Sequence, residues 1–144
     1  MSLQMAIERA AWWRRASAVM LDGAITLGAA LAVAEWIGPR DFMQRGDGFL
    51  LWWMLLGGAY MTVLIGMPRG QTVGKLLLGI QVVSADGSQL GLGRAFGRWL
   101  ITGVFWMLGI WIGGVVDSLA ALFDSQRRTL HDRVVNSVVV RSAA

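Results

Sequence analysis

The sequence predicts an all-α integral membrane protein that also carries a small cytoplasmic β element, and two observations lead to this fold class. Of the 144 residues, 56% are hydrophobic and 15% are charged, whereas soluble domains average about 45–50% apolar and about 25% charged residues. The apolar residues are also gathered in three long segments. A bilayer core about 30 Å thick requires about 20 helical residues, so each segment is long enough to cross a membrane.

The first two segments predict transmembrane helices at about residues 15–37 and 49–67. Gly38-Pro39 ends the first helix and Pro68 ends the second, because proline cannot continue a helix from its interior. Tryptophan favours the boundary between water and lipid, and five tryptophans flank or begin these helices: Trp12, Trp13, Trp36, Trp52 and Trp53.

Residues 68–94 and 124–144 are expected to form a cytoplasmic loop and a cytoplasmic tail. The loop contains Gly79–Val83, a short apolar run followed by a turn signal at Ala85–Ser88, and the tail contains the β-branched run Val134–Val140. Runs of this length and composition are typical of strands. If both lie on the same side of the membrane, they can pair as a small sheet at its surface.

The third apolar segment, about residues 95–123, either crosses the membrane once or enters and returns as a re-entrant or broken hairpin. The hairpin places eleven lysines and arginines on the cytoplasmic side and two outside, as the positive-inside rule favours. Gly109, Gly113 and Gly114 offer a break point. The apolar stretch is short for two full spans at about 1.5 Å per residue, so a single long span remains an alternative.

Composition excludes several classes of function. The chain has no cysteine, which removes disulfide and thiol chemistry. Its net charge of +4 comes from basic residues beside apolar segments, which indicates membrane orientation rather than nucleic-acid binding. Gly70–Lys75 is one residue short of a phosphate-binding loop. We expect no enzymatic activity, metal or cofactor, since the only histidine, His131, has no nucleophile or metal-ligand set beside it.

Asp22 is the most informative residue, because it lies inside the first apolar helix. A charged side chain deep in a bilayer costs at least about 2.5–3.5 kcal/mol on insertion scales. Arg15 and Thr26 lie seven residues before and four residues after it, which places all three on one helix face. The polar track has two interpretations: a structural ion pair that fixes helix packing, or a carboxylate that binds a proton or a cation.

Asp117 poses the same question in the third apolar segment. Two carboxylates that approach each other within a helix bundle can share a proton or hold a cation. Arg94 and Arg98, four residues apart on one helix face, are candidate partners for Asp22 or Asp117. Anchoring at the membrane surface is the alternative, and the favoured one for Arg94.

Three stretches, in this order, resemble the RDD family of small bacterial membrane proteins, named for one arginine and two aspartates. They are residues 13–22, 70–83 and 122–133. Arg15 and Asp22 match the arginine and the first aspartate, while Asp117, Asp124 and Asp132 compete for the second. The remaining matching or associated motif residues are Gly70, Gln71, Thr72, Gly74, Lys75, Gly79, Arg98 and His131.

The resemblance implies a multi-pass protein of the bacterial cytoplasmic (inner) membrane, with a cytoplasmic N-terminus. Some members of the family behave as sodium/proton antiporters, so it also implies transport. We expect Asp22 to alternate between a proton and a monovalent cation, Arg15 to tune its pKa, and a second aspartate to complete the site. A chain this short implies a homo-oligomer in the lipid bilayer. The rival hypothesis is a scaffold or accessory subunit whose Asp and Arg residues serve assembly and whose basic face binds lipid or a partner.

Overall fold

The computed structural model describes residues 9–37, 46–107, 122–123 and 128–142. Its elements, in chain order, are helix α1 (Trp12–Ile37), helix α2 (Gly46–Gly66), helix α3 (Val73–Leu77), strand β1 (Ile80–Ser84), helix α4 (Leu92–Met107), helix α5 (Leu130–Val134) and strand β2 (Ser137–Arg141).

Helices α1 and α2 are both long and apolar enough to cross a membrane, over Trp12–Trp36 and Gly48–Gly66. They pack antiparallel, since Asp22 of α1 meets Tyr60 of α2 while Thr26 meets Trp53. The predicted pair of long apolar helices is therefore present. The helices begin three residues earlier than predicted, at Trp12 and Gly46.

Helix α4 packs antiparallel to α2. Leu92 lies against Gly66, the Trp99 ring covers Gly58, and Met54 approaches Gly103. Gly66 and Gly58 of α2 let side chains of α4 come close to the α2 backbone, and Gly103 of α4 does the same for Met54 of α2. Helix α4 therefore starts beside the end of α2 and runs back along it.

Strands β1 and β2 form an antiparallel two-stranded sheet in which Ile80 pairs with Arg141 and Ser84 pairs with Ser137. The predicted pairing of the two β-branched runs is confirmed. Arg9 adds an isolated bridge to Val140. A small apolar core lies where the sheet meets the helices, and it consists of Ala10, Ala18, Ile65, Ile80, Val82, Leu90, Ala95 and Val139.

Two turns around the sheet require backbone with positive φ. Gly70 has φ of 57°, and a side chain there would overlap the carbonyl oxygen of Val82. Asn136, between α5 and β2, has φ of 50°, and asparagine is one of the few residues other than glycine that tolerates this conformation.

Residues 68–94, expected to form a cytoplasmic loop, contain helix α3 and strand β1. Helix α3 packs against α1 at Ala18 and Asp22, and α4 already begins at Leu92. Residues 108–121 of the third apolar segment lie outside the described residues, and with them the predicted break at Gly109, Gly113 and Gly114.

Candidate functional site

The Asp22 carboxylate is completely buried and lies where α1, α2 and α3 meet. Its Oδ1 accepts hydrogen bonds from the Tyr60 hydroxyl at 2.8 Å and from the Gly74 backbone N–H at 2.8 Å. Its Oδ2 accepts one from the Thr72 hydroxyl at 2.5 Å and lies 3.5 Å from Nζ of Lys75. Four donors thus surround a carboxylate that has about four lone-pair positions.

The sequence of α3 explains how these donors reach Asp22. Thr72 is the N-cap residue of α3, and its hydroxyl both accepts from the Lys75 backbone and donates to Asp22. A Cβ atom at Gly74 would lie 2.5 Å from the carbonyl oxygen of Ala18 and 2.9 Å from Oδ1 of Asp22. Only glycine therefore lets the backbone N–H come within hydrogen-bond distance.

The Lys75 ammonium that faces this carboxylate is also buried. Its side chain is 8% exposed, and its Nζ also donates to Oγ1 of Thr72 at 3.2 Å. Burial lowers the pKa of Lys75 to about 8, while Asp22 raises it and Arg98 lowers it further. The pKa of Lys75 therefore lies well below that of an exposed lysine.

A second buried carboxylate, Asp132 of α5, also has four donors. Oδ1 accepts from Arg98 and, at 3.0 Å, from the Ser137 hydroxyl. Oδ2 accepts from Arg15 at 3.4 Å and from the Thr129 backbone N–H at 3.2 Å. These bonds join α1, α4, α5 and β2 through one residue.

Asp132 is also part of the capping box that starts α5, in which Thr129 and Asp132 exchange side-chain and backbone hydrogen bonds. Its carboxyl is fully buried. Burial raises the pKa of Asp132, but the charges of Arg98, His131 and Arg15 together lower it well below its usual range. Asp132 is therefore ionised at neutral pH.

The structure corrects the predicted partnership between Arg15 and Asp22. Although both lie on α1, the Arg15 guanidinium donates to Asp132 and to the carbonyl oxygen of Val139. The cation beside Asp22 is Lys75. Seven residues of helix rise about 10 Å, so Arg15 instead reaches the elements that pack at the start of α1.

The predicted partners Arg94 and Arg98 have different roles. Arg98 binds Asp132, not Asp22. Arg94 donates to the carbonyl oxygens of Val135 and Asn136 and to the Ser84 hydroxyl. Its guanidinium therefore holds the turn before β2 against β1.

The remaining motif residues mostly support the sheet. Gln71 donates to the carbonyl oxygen of Ile80 at 3.1 Å, and the carbonyl oxygen of Gly79 accepts from the backbone of Ser142. His131 contacts the hydroxyl of Thr129. Asp117 and Asp124 lie outside the described residues. Of the three competitors for the second aspartate, Asp132 is the one that the structure describes.

Two residues of the site were missed from the sequence. Tyr60 is the only tyrosine of the chain and lies in an uncharged apolar segment, which was a usable signal. Ser137 carried no such signal, because its role depends on the register of β2. Lys75 and Thr72 were identified only as motif residues, without a partner.

A cavity of about 250 Å³ lies between the two carboxylate clusters. Lys75 faces it from the Asp22 cluster, while Arg15, Arg98, His131 and Asp132 face it from the other. Within the described residues, no group of three His, Asp or Glu side chains is arranged to hold a metal ion.

These features define a small, mostly helical membrane-type protein with two buried, cation-paired aspartates. The chain belongs to the RDD family, whose model matches residues 9–136. It is 29% identical over 134 residues to the uncharacterized protein YckC of Bacillus subtilis (strain 168), an alignment that covers 90% of this chain and 83% of YckC. No solved structure matches the chain.

Proposed function

We propose that the protein exchanges a monovalent cation for a proton at the Asp22–Lys75 pair. The observation that carries the proposal is a buried carboxylate whose counter-ion is a lysine that is also buried and has a pKa of about 8. Such a lysine releases its proton near pH 8. The carboxylate is then left without a counter-ion in a low-dielectric site, and a free cation can replace the ammonium.

The groups around Asp22 suit a small hard cation. Both carboxylate oxygens, the Thr72 hydroxyl and the Tyr60 hydroxyl form an all-oxygen set, and oxygen ligands are those preferred by hard cations. Each hydroxyl has lone pairs that can turn toward a cation. Either a proton on Lys75 or one monovalent cation on Asp22 gives the site the same charge, so the exchange is one for one and electroneutral.

The proposal places α1 and α2 across the bacterial cytoplasmic membrane, with the sheet on the cytoplasmic side. The ten lysines and arginines among the described residues all lie in or beside the sheet and the helix ends next to it. The positive-inside rule assigns this end to the cytoplasm. Both termini of the described chain then lie in the cytoplasm, since Arg9 bridges to Val140.

This arrangement favours a third segment that enters and returns. Helix α4 leaves the sheet end at Arg94 and runs along α2 as far as Gly103, which meets Met54. Thr129 is again at the sheet end, next to Asp132. We also propose a homo-oligomer, because so small a chain offers little protein to enclose a pathway.

The test is sodium-driven proton flux through the purified protein in liposomes. Wild type should collapse an imposed pH gradient when sodium or lithium is added, and Asp22→Asn should not. Lys75→Arg keeps a cation beside Asp22 but cannot release its proton, because an arginine remains charged, so it should also be inactive. Asp86→Asn, in an exposed turn, is the matched control and should retain wild-type flux.

A second candidate function is supported by the saturation of both carboxylates. Each has four donors, and together they join five helices and a strand. This arrangement also suits a scaffold whose ion pairs serve only assembly. In that case folded wild type gives no flux under any cation gradient, and Asp22→Asn reduces the yield of folded protein.

A further inference from the structure

We infer that the cavity between the two carboxylate clusters binds the phosphate headgroup of an anionic phospholipid, with an acyl chain lying along α1. The site is separate from the Asp22 oxygens of the proposed exchange, although Lys75 borders both. The inference combines three observations: the polar groups of the cavity wall, the apolar groups of the same wall, and the exposure of its rim.

The polar wall is mainly cationic. Lys75, Arg15 and Arg98 face the cavity, and their side chains are only 8–11% exposed. Asp132 also faces it, but its oxygens already accept from Arg98, Ser137, Arg15 and Thr129. An entering phosphate therefore meets recessed cations rather than an available carboxylate.

Two of these cations, Arg98 and Lys75, retain N–H donors that could bind an anion. Arg98 has five N–H groups, and within the described residues its hydrogen bonds to Asp132 and Ser137 use Nη1 alone. Lys75 has three N–H donors, and within the described residues Thr72 and Asp22 are the partners of its Nζ. Charge-assisted hydrogen bonds from arginine and lysine are the usual means of phosphate recognition.

The apolar wall decides between a lipid and a free anion. Trp12, Ala16 and Val19 line the cavity and follow one another on a single face of α1. Trp12 is 44% exposed and Val19 is 56% exposed, so this rim opens on the outer surface of a helix proposed to cross the bilayer. A headgroup in the cavity can thus continue into an acyl chain against α1.

The size and charge of the cavity narrow the choice of lipid. About 250 Å³ is below the roughly 300–1,000 Å³ of pockets that enclose whole drug-sized ligands, so a headgroup fits and the acyl chain remains outside. A zwitterionic headgroup would bring its own cation against Lys75, Arg15 and Arg98. An anionic phosphodiester such as phosphatidylglycerol avoids this repulsion.

The test compares probes that share the phosphate but differ in the rest of the molecule. The full chain, purified in an uncharged detergent, is examined by native mass spectrometry with phosphatidylglycerol, phosphatidylcholine or inorganic phosphate. We expect the protein to retain one phosphatidylglycerol, and the fraction of protein with this lipid bound should be at least ten times the fraction with phosphatidylcholine bound. Retention of both lipids to the same extent, or binding of inorganic phosphate without the lipid, overturns the inference.

Two neighbouring substitutions locate the site. Val19→Trp fills the cavity rim from an exposed position and should abolish retention of phosphatidylglycerol. Met20→Trp adds the same side chain one residue away, where the residue is 77% exposed and does not line the cavity, and should bind like wild type. Equal retention by both variants places the lipid elsewhere and overturns the assignment.

Discussion

The ammonium nitrogen of Lys75 lies 3.5 Å from Oδ2 of Asp22 and is held there by α3, a helix of only five residues. This contact joins the lysine of the stretch 70–83 to the aspartate of the stretch 13–22. Burial lowers the pKa of Lys75 to about 8. In the proposed exchange Lys75 is therefore the proton-releasing group of the pair, whereas the sequence suggested that Asp22 carries the proton.

The sodium dependence of exchange should follow the titration of Lys75. Since a cation replaces the ammonium only after Lys75 loses its proton, binding and deprotonation are coupled. Below the Lys75 pKa of about 8, the half-saturating sodium concentration should rise about tenfold for each unit by which the pH is lowered. Above this pKa, the half-saturating concentration should no longer depend on pH. Flux measured in liposomes between pH 6 and 9.5 checks this. A half-saturating sodium concentration that does not change with pH would show that Lys75 does not take part in the exchange.

Asp132→Asn should destabilise the fold strongly. The substitution leaves Arg15 and Arg98 buried beside a neutral amide, and removal of one partner of a buried ion pair typically costs about 3–5 kcal/mol. Thermal unfolding in detergent, followed by tryptophan fluorescence, measures the effect. Asp86→Asn is the control, because the Asp86 carboxylate is exposed and forms only local hydrogen bonds, with Ser88 and Ser84. The melting temperature of this variant should stay near that of wild type.

Wild type and Asp132→Asn should also differ in how their stability responds to acid. The pKa of Asp132 is lowered in the folded state, so the unfolded chain binds more protons than the folded chain on acidification. The stability contributed by Asp132 is complete above its unfolded pKa of about 4 and is lost as the pH falls below it. Wild type should therefore lose its advantage over Asp132→Asn between pH 4 and 2. A constant difference in melting temperature over this range contradicts the ionised assignment.

Gly74→Ala should separate α3 from α1. The added methyl would lie 2.5 Å from the carbonyl oxygen of Ala18, and overpacking of this kind costs about 1–3 kcal/mol. Gly93→Ala, in α4, is the matched control, since a Cβ there meets nothing within 4 Å and alanine favours a helix over glycine. The first variant should melt at a lower temperature than wild type and the second should not.

The parts of the fold that follow from local pattern were predictable from the sequence. The two long helices are encoded by continuous apolar composition, and the two strands by β-branched runs of strand length. Their pairing required only that both runs lie at the same end of the molecule. Helix ends differed from prediction by a few residues, because Trp12 and Gly46 extend the helices beyond the apolar core.

The pairing of charges was not predictable in the same way. Arg15 and Asp22 share a helix, so sequence spacing favoured their partnership, but contacts between distant segments decide the outcome. Arg15 is held by Asp132, and Asp22 by Lys75. Both pairs depend on how α3 and α5 pack on α1, and no local periodicity encodes that packing.

Introduced cysteines provide the last prediction, because the natural chain has none. Two positions are exposed at the sheet end: Ser88, in the turn after β1, and Arg141, at the end of β2. Trp36 lies at the opposite end of α1 and is 88% exposed. If the sheet end is cytoplasmic, a membrane-impermeant maleimide should label Trp36→Cys in intact cells. Ser88→Cys and Arg141→Cys should react only after the membrane is opened.

The Arg141→Cys result decides between the two forms of the third apolar segment. The pairing of Ile80 with Arg141 ties the end of the chain to the strand that follows α2. A single span would place these two strands on opposite sides of the membrane, where they cannot pair. Labelling of Arg141→Cys and Ser88→Cys from the same side is therefore expected, and labelling from opposite sides would rule out both the sheet and the returning segment. A denatured sample, in which all three cysteines react, controls for accessibility.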